Sequence, residues 1–387
     1  MRWQRLSRCH HADEAVGARP GNLLLRDLRV RDWRNLVEER LSLGERVTVL
    51  FGQNGQGKSN VLEAAYYAIT FRSFRTNSNG DLICWGKERS DIEARITLRG
   101  LERTLRVEVA VGKKRTTLDG KAVRRDSDAL QGSGVVVFGP DDLRLPKAAA
   151  AERRRALDRA VFAGHRPYYR EAVAFERALR ERNSLLRRGV FNKDLLESFD
   201  ETLARTGARI VVRRRELVRT LAPLFERAFS EIHGELPARI RYRSHARIES
   251  VEGEEAIGEA LRLGLEAERG NDQRRGFTGF GPQTDDLEMF LGDRLAREHG
   301  SQGQIRSLVL AFKISELLYV EAQNEETPVL LLDDVSSELD EKRRSRLFET
   351  ISSMACQTLI TVTEREHLPQ LPDRVDWRVS GGHLEPV

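Results

Sequence analysis

Cysteine is scarce in this sequence, and long apolar runs are missing. Three cysteines, Cys9, Cys84 and Cys356, occur among 387 residues without forming a C-x-x-C pair, so neither a disulfide framework nor a zinc ribbon is predicted. No stretch approaches the roughly 20 consecutive apolar residues of a membrane span, and the basic N-terminus lacks the apolar core of a signal peptide. We therefore expect a cytoplasmic protein that does not enter a membrane.

Aromatic residues are also few, but the composition is that of a folded chain. Hydrophobic residues make up 40% of the sequence and charged residues 32%, which excludes a disordered or collagen-like protein. The length predicts two or three lobes.

Positive charge is concentrated in one segment. The net charge is +5, but residues 151–230 contain 18 Arg and one Lys against 11 Asp and Glu, so the rest of the chain is slightly acidic. A basic helical segment is either a nucleic-acid-binding surface or a solvated face, and the preference for Arg over Lys throughout the chain favours the second reading. Both alternatives stay open on charge alone.

Strand patterns lie at both ends of the chain, with a helical pattern between them. Residues 23–30, 47–52 and 135–140 read as strands, and 94–123 as an antiparallel ribbon with a hairpin turn at Asp119-Gly120. The spacing from 148 to 232 is helical, and 195–232 is expected to form an amphipathic helix pair. The segments after Gly276 alternate between helix and strand, which predicts a parallel, helix-covered sheet; they are 303–323, 328–335, 340–353 and 358–363.

A glycine-rich loop fits the phosphate-binding pattern GxxxxGK[ST] and stands between an apolar strand and a helix. Its glycines let backbone N–H groups surround the β- and γ-phosphates, the Lys58 side chain supplies a positive charge, and the Ser59 hydroxyl is suited to Mg²⁺. ATP with Mg²⁺ is the predicted ligand. The candidate binding residues are Gly52, Gln53, Asn54, Gly55, Gln56, Gly57, Lys58, Ser59 and Asn60.

Two acids end the buried strand at residues 329–334. Burial of so much charge is costly unless a metal or a base role compensates for it. We assign Asp333 to Mg²⁺ beside Ser59, and Asp334 to the attacking water. Asp334 and Lys58 are therefore the candidate catalytic residues, although a helix N-cap or a surface turn would also explain the acids taken alone.

A second candidate anion site consists of Ser301, Gly303 and Gln304, directly before a long amphipathic helix. Serine and glycine at a helix N-terminus can hold a phosphate with N–H groups and the helix dipole. One chain cannot easily direct this segment and the P-loop at the same γ-phosphate, so we predict two chains head to tail. An ordinary helix N-cap is the alternative.

Taken in order, these segments give the layout of ABC-type ATPase heads, and the sequence resembles the RecF family of bacterial recombination-repair ATPases from about residue 23 onward. The similarity is carried by the strings FGQNGQGKSNVLEAAYY, FRSFRT, VVVFGPDDLRL, ERRRALD, GFGPQTDDLEMFL, GSQGQIRSLVLAFKISE and PVLLLDDVSSELD. The family usually has the string GPHRDD, whereas residues 281–286 of this chain read GPQTDD. Gln283 and Thr284 therefore stand where the family usually has two basic residues.

The resemblance implies an α/β fold of the Rad50-like ABC head type, with an antiparallel β ribbon and an inserted helical lobe. We predict a flexible extension at 1–20, a head formed by 21–147 and 276–387, and a basic, mainly helical lobe at 148–275. It also implies nucleotide binding at Asn54 to Ser59, Mg²⁺ at Ser59 and Asp333, hydrolysis at Asp334, and a contact in trans from Ser301 and Gly303.

Five arginines are candidates for DNA contact. Arg72 and Arg75 follow the P-loop helix and either reach DNA or pair with nearby acids. Arg153, Arg154 and Arg155 lie in a helical run that no single apolar face can absorb, so we expect all three to be exposed, with DNA contact as one of their possible roles.

The function that follows is an ATP-dependent DNA-binding protein of recombinational repair and replication restart, with slow ATP hydrolysis. An ATP-driven homodimer would clamp single-stranded, gapped or junction DNA, and the resemblance adds recombination mediator proteins as partners and support for recombinase loading and the SOS response. The alternative is a diverged ABC-type switch that binds a protein instead of DNA. A transporter ATPase is disfavoured because it has no use for the basic helical insert, and a full SMC or Rad50 chain is excluded by length.

Overall fold

The computed structural model describes residues 23–123, 130, 134–189, 193–324, 327–334, 339–354, 356–371 and 373–387. The predicted extension at 1–20 and residues 335–338 of the DDVSSELD string lie outside these ranges. The strands are β1 (Leu24–Trp33), β2 (Leu36–Ser42), β3 (Val47–Phe51), β4 (Arg89–Leu98), β5 (Leu101–Ala110), β6 (Lys113–Leu118), β7 (Lys121–Ala122), β8 (Val135–Phe138), β9 (Ala238–Arg243), β10 (Asp286–Leu291), β11 (Arg294–Leu295), β12 (Val329–Asp333), β13 (Thr358–Val362), β14 (Arg374–Ser380) and β15 (His383–Pro386).

The helices occupy most of the middle of the chain. They are α1 (Lys58–Thr70), α2 (Ala150–Gly164), α3 (Tyr168–Arg188), α4 (Lys193–His233), α5 (Ala246–Glu249), α6 (Glu254–Arg275), α7 (Ala296–His299), α8 (Gln302–Asn324) and α9 (Glu341–Ser353). Short 3₁₀ turns occur at Asn79–Leu82, Pro140–Lys147, Pro282–Thr284 and Arg365–His367. Among the described residues, no helix combines the length and the apolar character that crossing a membrane requires.

The predicted parallel sheet is confirmed. Its strand order is β15-β14-β3-β13-β12-β8, and every neighbouring pair is parallel except β14 with β15. Strands β3, β12 and β13 are almost wholly buried, as expected for strands covered on both faces. Because β13 lies between β3 and β12, the carboxyl ends of all three strands meet at one edge.

The predicted antiparallel ribbon is also confirmed, as part of a sheet of order β2-β1-β4-β5-β6-β7. The β6–β7 hairpin turns at Asp119 and Gly120 with φ of 49° and 75°, the left-handed values that a two-residue turn needs. The apolar face of this sheet packs with α1 and with one side of the parallel sheet in a shared core that contains Leu28, Leu62 and Leu331. Helix α1 is therefore held between two sheets.

The expected helix pair at 195–232 is wrong, because α4 is one continuous helix of 41 residues. Gly207 does not break it. A Cβ at this position would come within 3.4 Å of Leu261, Phe175 and Pro282, so the glycine allows neighbouring elements to approach closely. Helix α4 packs against α3, α6 and α8 and forms the central support of the helical region.

A small sheet connects the helical region to the head. Strand β9 falls in the segment expected to be mainly helical, and it pairs antiparallel with β10, which belongs to the segment assigned to the head. The connection is reinforced by Arg214 of α4, which donates to both carboxylate oxygens of Asp158 at 2.7 and 2.9 Å and to the Pro282 carbonyl at 2.8 Å.

Buried charge also organises the helices internally. The Arg182 side chain of α3 is fully buried and donates at 2.7 Å to Asp200 of α4, to Asp272 of α6 and to Thr278. One guanidinium thus joins three segments that are distant in sequence. Removal of one member of such a cluster leaves its charged partners buried and poorly paired.

We predict that Arg182→Met lowers the free energy of unfolding by about 3–5 kcal/mol, because it leaves two buried carboxylates without this guanidinium. Arg180→Met is the matched control on the same helix. Arg180 pairs with Glu176 at 3.7 Å on the surface, and loss of such a pair costs at most about 1 kcal/mol. Equal losses in chemical denaturation would contradict the role assigned to Arg182.

A second prediction concerns pH. Burial raises the pKa of Asp285 to about 6, while its carboxylate accepts a hydrogen bond from the Tyr242 hydroxyl. Since the folded protein holds this proton to higher pH than the unfolded chain does, the free energy of unfolding should fall as pH rises from about 4 to 6, by roughly 1–3 kcal/mol. Asp285→Asn should remove this part of the pH dependence, and denaturant melts of both proteins at pH 4.5 and 7 provide the test.

Candidate nucleotide-binding site

The glycine-rich loop, residues 52–59, connects the end of β3 to the start of α1 at the edge where the parallel strands end. Two of its glycines have no substitute. A Cβ on Gly52, whose φ is 151°, would lie 2.2 Å from the Val379 carbonyl oxygen, and one on Gly57, whose φ is 113°, would lie 2.8 Å from the Asn35 amide oxygen. The loop therefore follows a path that only glycine permits at these positions.

Two hairpin turns support this loop from behind. The Asn35 amide in the β1–β2 turn donates to the Gln56 carbonyl at 3.2 Å and accepts from Asn60 at 2.7 Å. In the β14–β15 turn, the Gly381 amide donates to the Gln56 side chain at 2.5 Å and the Gly382 amide to the Gln56 carbonyl at 2.9 Å. Sequence reasoning missed Asn35 and the Gly381-Gly382 pair, because both lie far from the loop in the chain.

The Lys58 side chain bends back over the loop and donates to the Gly52 and Gln53 carbonyls at 2.6 and 2.9 Å. Burial lowers the pKa of its ammonium, while the nearby Asp334 and Asp333 carboxylates act in the opposite direction. The loop thus presents an ammonium group held by carbonyl dipoles beside the backbone N–H groups at the start of α1. This combination suits a polyphosphate.

The structure brings Ser59 and Asp333 into contact. The Ser59 hydroxyl donates to Asp333 Oδ1 at 2.7 Å, and the Thr361 hydroxyl of β13 donates to the same oxygen at 2.8 Å. A hydroxyl and a carboxylate oxygen are the hard ligands that Mg²⁺ takes, usually with phosphate and water completing its shell. The donor set therefore fits the predicted metal. Within the described ranges, no group of three or more His, Cys, Asp or Glu side chains could hold a metal.

Asp334 begins the loop after β12 with a φ of 50°. Its backbone N–H donates to the Thr361 hydroxyl at 2.8 Å and to the Thr361 carbonyl at 3.3 Å, so the loop is anchored to β13. Thr361 thereby fixes both acids, and no sequence signal had singled it out. A left-handed backbone in a non-glycine residue is uncommon and is often found at functional sites.

Ser301, Gly303 and Gln304 form the N-terminus of α8. The Gln304 side chain accepts from the Ser301 N–H at 2.9 Å, and the Ser301 hydroxyl accepts from the Gln304 N–H at 3.3 Å. This reciprocal pair is a capping box, which agrees with the N-cap reading. Ser301 is exposed, and its hydrogen bonds are to Gln304 and Ile305 of its own helix, so the contact in trans stays a prediction.

Arg72 and Arg75 both have partners within the chain. The Arg72 guanidinium carbon lies 3.1 Å from the centre of the Tyr169 ring of α3. The Arg75 side chain donates to Asn60 at 2.8 Å and lies 3.7 Å from the buried Glu63 carboxylate. These contacts agree with the structural role considered for Arg75, and they connect the segment after α1 to the helical region. DNA contact by either residue stays a prediction.

The expectation of exposure is wrong for Arg153. This side chain is only 5% exposed and forms a bidentate pair with Asp286 of β10 at 2.8 and 2.7 Å. An arginine can be buried when a carboxylate compensates for its lost hydration. The sequence alone does not show that Asp286 is this carboxylate. Arg154 is half-buried and donates to the Asp285 carbonyl at 2.7 Å, whereas Arg155 is exposed as expected.

Comparison with known proteins gives a consistent result. Residues 24–376 match the family described as RecF/RecN/SMC N terminal domain. The DNA replication and repair protein RecF of Myxococcus xanthus is 42% identical over 342 residues, covering 87% of this chain and 90% of that protein. The RecF of Anaeromyxobacter sp. strain K is 41% identical over 370 residues, with 94% and 99% covered.

Solved structures agree with these sequence matches. The recombination mediator protein RecF with ATP, in the RecFOR pathway, superimposes with a TM-score of 0.86 at 28% identity, covering 98% of this chain and all of that one. The Smc head domain derived from Pyrococcus furiosus gives a TM-score of 0.53 at 13% identity and shows a shared fold alone. The predicted fold class, an ABC-type ATPase head, is confirmed.

Asn35 provides a test of how the loop is held. We predict that Asn35→Ala weakens ATP binding about two- to tenfold, because one hydrogen bond to the loop is worth about 0.5–1.5 kcal/mol. Asn79→Ala is the control, since the Asn79 amide donates instead to the Lys113 carbonyl at 3.4 Å on the surface. Titration of a fluorescent ATP analogue measures both affinities. Unchanged binding by Asn35→Ala would show that the β1–β2 turn does not support the P-loop.

Proposed function

The chain belongs to the RecF family, and from that premise we propose that it is an ATP-dependent DNA-binding protein of recombinational repair and replication restart. The observation that carries the proposal is the hydrogen bond of 2.7 Å from Ser59 to Asp333. It joins the P-loop to the acidic strand end, the two halves that a nucleotide site of this type requires. Relatives named DNA replication and repair protein RecF, and a RecF structure with ATP, support it.

In this proposal the P-loop binds the ATP phosphates. The backbone N–H groups from Asn54 to Ser59 surround the β- and γ-phosphates, and the Lys58 ammonium exchanges its carbonyl partners for phosphate oxygens. Ser59 and Asp333 would hold Mg²⁺, which would neutralise the charge that develops on the phosphates. The two protein ligands are already adjacent, so little rearrangement is needed.

Asp334 is proposed to act on the attacking water. Its backbone is fixed to β13 through Thr361, as the two hydrogen bonds at 2.8 and 3.3 Å indicate. The carboxylate would orient the water or accept its proton, and hydrolysis would be slow until the site is completed. Completion requires a second chain, because Ser301 and Gly303 would contact the γ-phosphate bound to the partner's Lys58.

ATP would therefore act as a switch for a DNA clamp. A ligand stabilises only the state that binds it more tightly, so ATP shared between two chains favours the closed dimer. Hydrolysis removes that preference and opens the clamp. We propose single-stranded, gapped or junction DNA as the ligand, recombination mediator proteins as partners, and support for recombinase loading and the SOS response as the outcome in the cell.

One observation favours a second candidate, an ATP switch that binds a protein and not DNA. Gln283 and Thr284 replace the pair that is usually basic in the family. The Gln283 amide donates to the Phe280 carbonyl at 3.0 Å and the Thr284 hydroxyl to the Gly281 carbonyl at 2.8 Å, so both side chains bind their own loop. Salt separates the two candidates, because affinity for duplex DNA falls by about 0.9 log units per phosphate contact for each tenfold rise in salt.

Asp334→Asn should trap the ATP-bound state and make the proposal testable. We expect this variant to form dimers with Mg-ATP in analytical ultracentrifugation, and to bind a labelled gapped DNA with an ATP-dependent, salt-sensitive rise in anisotropy. A protein that stays monomeric at saturating ATP would contradict the clamp. ATP-dependent dimers without DNA binding would support the protein switch.

Ser301→Asp in the Asp334→Asn background tests the contact in trans. Aspartate keeps the N-cap of α8 but places a negative charge where the γ-phosphate of the other chain is proposed to lie. We expect ATP binding by the monomer and thermal stability to be retained while ATP-dependent dimers are lost. Dimers that persist at the same ATP concentration would place Ser301 outside the interface.

A further inference from the structure

Two helices of the helical region end side by side, and each ends in a pair of arginines. Arg187 and Arg188 close α3, and Arg274 and Arg275 close α6. A Cβ built on Gly276, the residue after α6, would lie 3.7 Å from Cγ of Arg187. These four exposed side chains, here called the arginine cluster, therefore lie at two adjacent helix ends.

The backbone beneath the cluster is fixed. The Asn183 side chain of α3 accepts from the Thr278 N–H at 2.8 Å, which ties the residues after α6 to α3. Asp272 accepts from the Gly279 N–H at 2.8 Å, and the buried Arg182 holds Asp272 at 2.7 Å. The two helix ends are thus held in a constant relation to each other.

None of the four guanidiniums forms an ion pair with a carboxylate in the part of the chain that the structure describes. The nearby acids have other partners: Asp200 and Asp272 hold Arg182, and Glu197 holds Arg269 at 3.2 Å. Glu268, whose carboxylate also feels the charge of Arg275, accepts from Asn271 at 2.7 Å and lies 3.5 Å from Arg247. Asp194 opens α4, where a carboxylate complements the positive end of a helix. Arg274 donates only to the neutral Asn271 amide, at 2.5 Å.

Arginines about two and three turns earlier on α3 behave differently. Arg177 pairs with Glu181 at 2.9 Å, and Arg180 pairs with Glu176 at 3.7 Å. The side of α3 away from its end is therefore neutralised by its own acids. Unpaired positive charge is concentrated where α3 and α6 terminate.

The helix dipoles do not account for this concentration. A basic residue in a last turn is favourable because the end of a helix carries about half a negative charge. Two such ends supply about one negative charge against four guanidiniums, which leaves an excess of roughly three. Placing both ends together increases the repulsion, so a ligand with several negative charges would stabilise the cluster.

We propose that the arginine cluster binds the phosphate backbone of DNA. Guanidiniums bind phosphate oxygens with two parallel hydrogen bonds, and a DNA strand presents phosphates in a row that a pair of adjacent helix ends can follow. Phe277 lies directly beside the cluster and is 50% exposed, so it offers an apolar surface to an unpaired base. The inference rests on the proposed function, because it assigns that function's DNA ligand to a defined surface.

The test compares two double variants on one helix in the Asp334→Asn background. Arg187→Gln with Arg188→Gln removes half of the cluster, and Arg177→Gln with Arg180→Gln removes the same charge from the neutralised side. Anisotropy of a labelled gapped DNA is measured with Mg-ATP at 50 and 200 mM salt. Ultracentrifugation confirms that both variants still form ATP-dependent dimers.

We expect the cluster variant to bind gapped DNA at least tenfold more weakly and the control to stay within twofold of the parent protein. The slope of log affinity against log salt should decrease by up to about two in the cluster variant, since each lost phosphate contact contributes about 0.9 on duplex and about 0.7 on a single strand. Arg274→Gln with Arg275→Gln should have the same effect. Phe277→Ala should weaken binding to gapped DNA more than to blunt duplex.

Equal binding by the two double variants, with the parent protein still bound to DNA, would overturn the inference and leave the proposed function intact. If the parent protein dimerises with ATP but does not bind DNA, both the inference and the proposed DNA-binding function are wrong. If the cluster variant keeps its DNA affinity but loses binding to an acidic protein partner, the cluster is a protein-docking surface and the inference is wrong.

Discussion

The contact between Ser59 and Asp333 depends on the arrangement of three parallel strands. Strand β3 leads into the P-loop, β12 ends at Asp333, and β13 lies between them and contributes Thr361, whose hydroxyl donates to Asp333 at 2.8 Å. Parallel strands bring their carboxyl ends to one edge, and ligands bind at such edges in open α/β sheets. The glycine path of the loop, the bent Lys58 side chain and the left-handed Asp334 all lie at this edge. If β13 were displaced, the two halves of the site would separate.

Charge in this chain has two uses that composition does not distinguish. Arg153, Arg182 and Arg214 are buried and hold together segments of the helical region and the small sheet. Lys313 of α8 has a similar role in the head, where it donates to the Val137 carbonyl at 2.9 Å and to Glu316 at 3.0 Å. These groups are matched by carboxylates or carbonyls. The arginines at the ends of α3 and α6 have no such carboxylate partner within the residues that the structure describes. This difference distinguishes arginines with a structural role from those that are candidates for binding a ligand.

The segment after α1 connects the nucleotide edge to the helical region. The Asn60 side chain donates to Asn35, which holds the P-loop, and accepts from Arg75. Arg72, three residues before Arg75, lies over the Tyr169 ring of α3. A movement of the P-loop on nucleotide binding could therefore be transmitted through a continuous series of contacts to the helical region. These contacts give a physical route between the nucleotide site and the helical region. Coupling of the two would be measured as the change in free energy of binding at one site when the other site is occupied.

The sequence by itself determined the local features of this protein. Strand and helix periods identified β3, β8, β12, β13 and α8, and the spacing of Gly52, Lys58 and Ser59 identified the P-loop, because these signals depend on residues that are close in the chain. The same reasoning placed Asp333 and Asp334 at the end of β12. Tertiary structure decided which side chains meet across long separations. Asn35 and Gly382 support the loop, Thr361 fixes both acids, and Asp286 draws Arg153 into the interior. A partner that lies a hundred residues away leaves no periodic signal, so burial of a charge could be established only when the fold brought its counter-charge beside it.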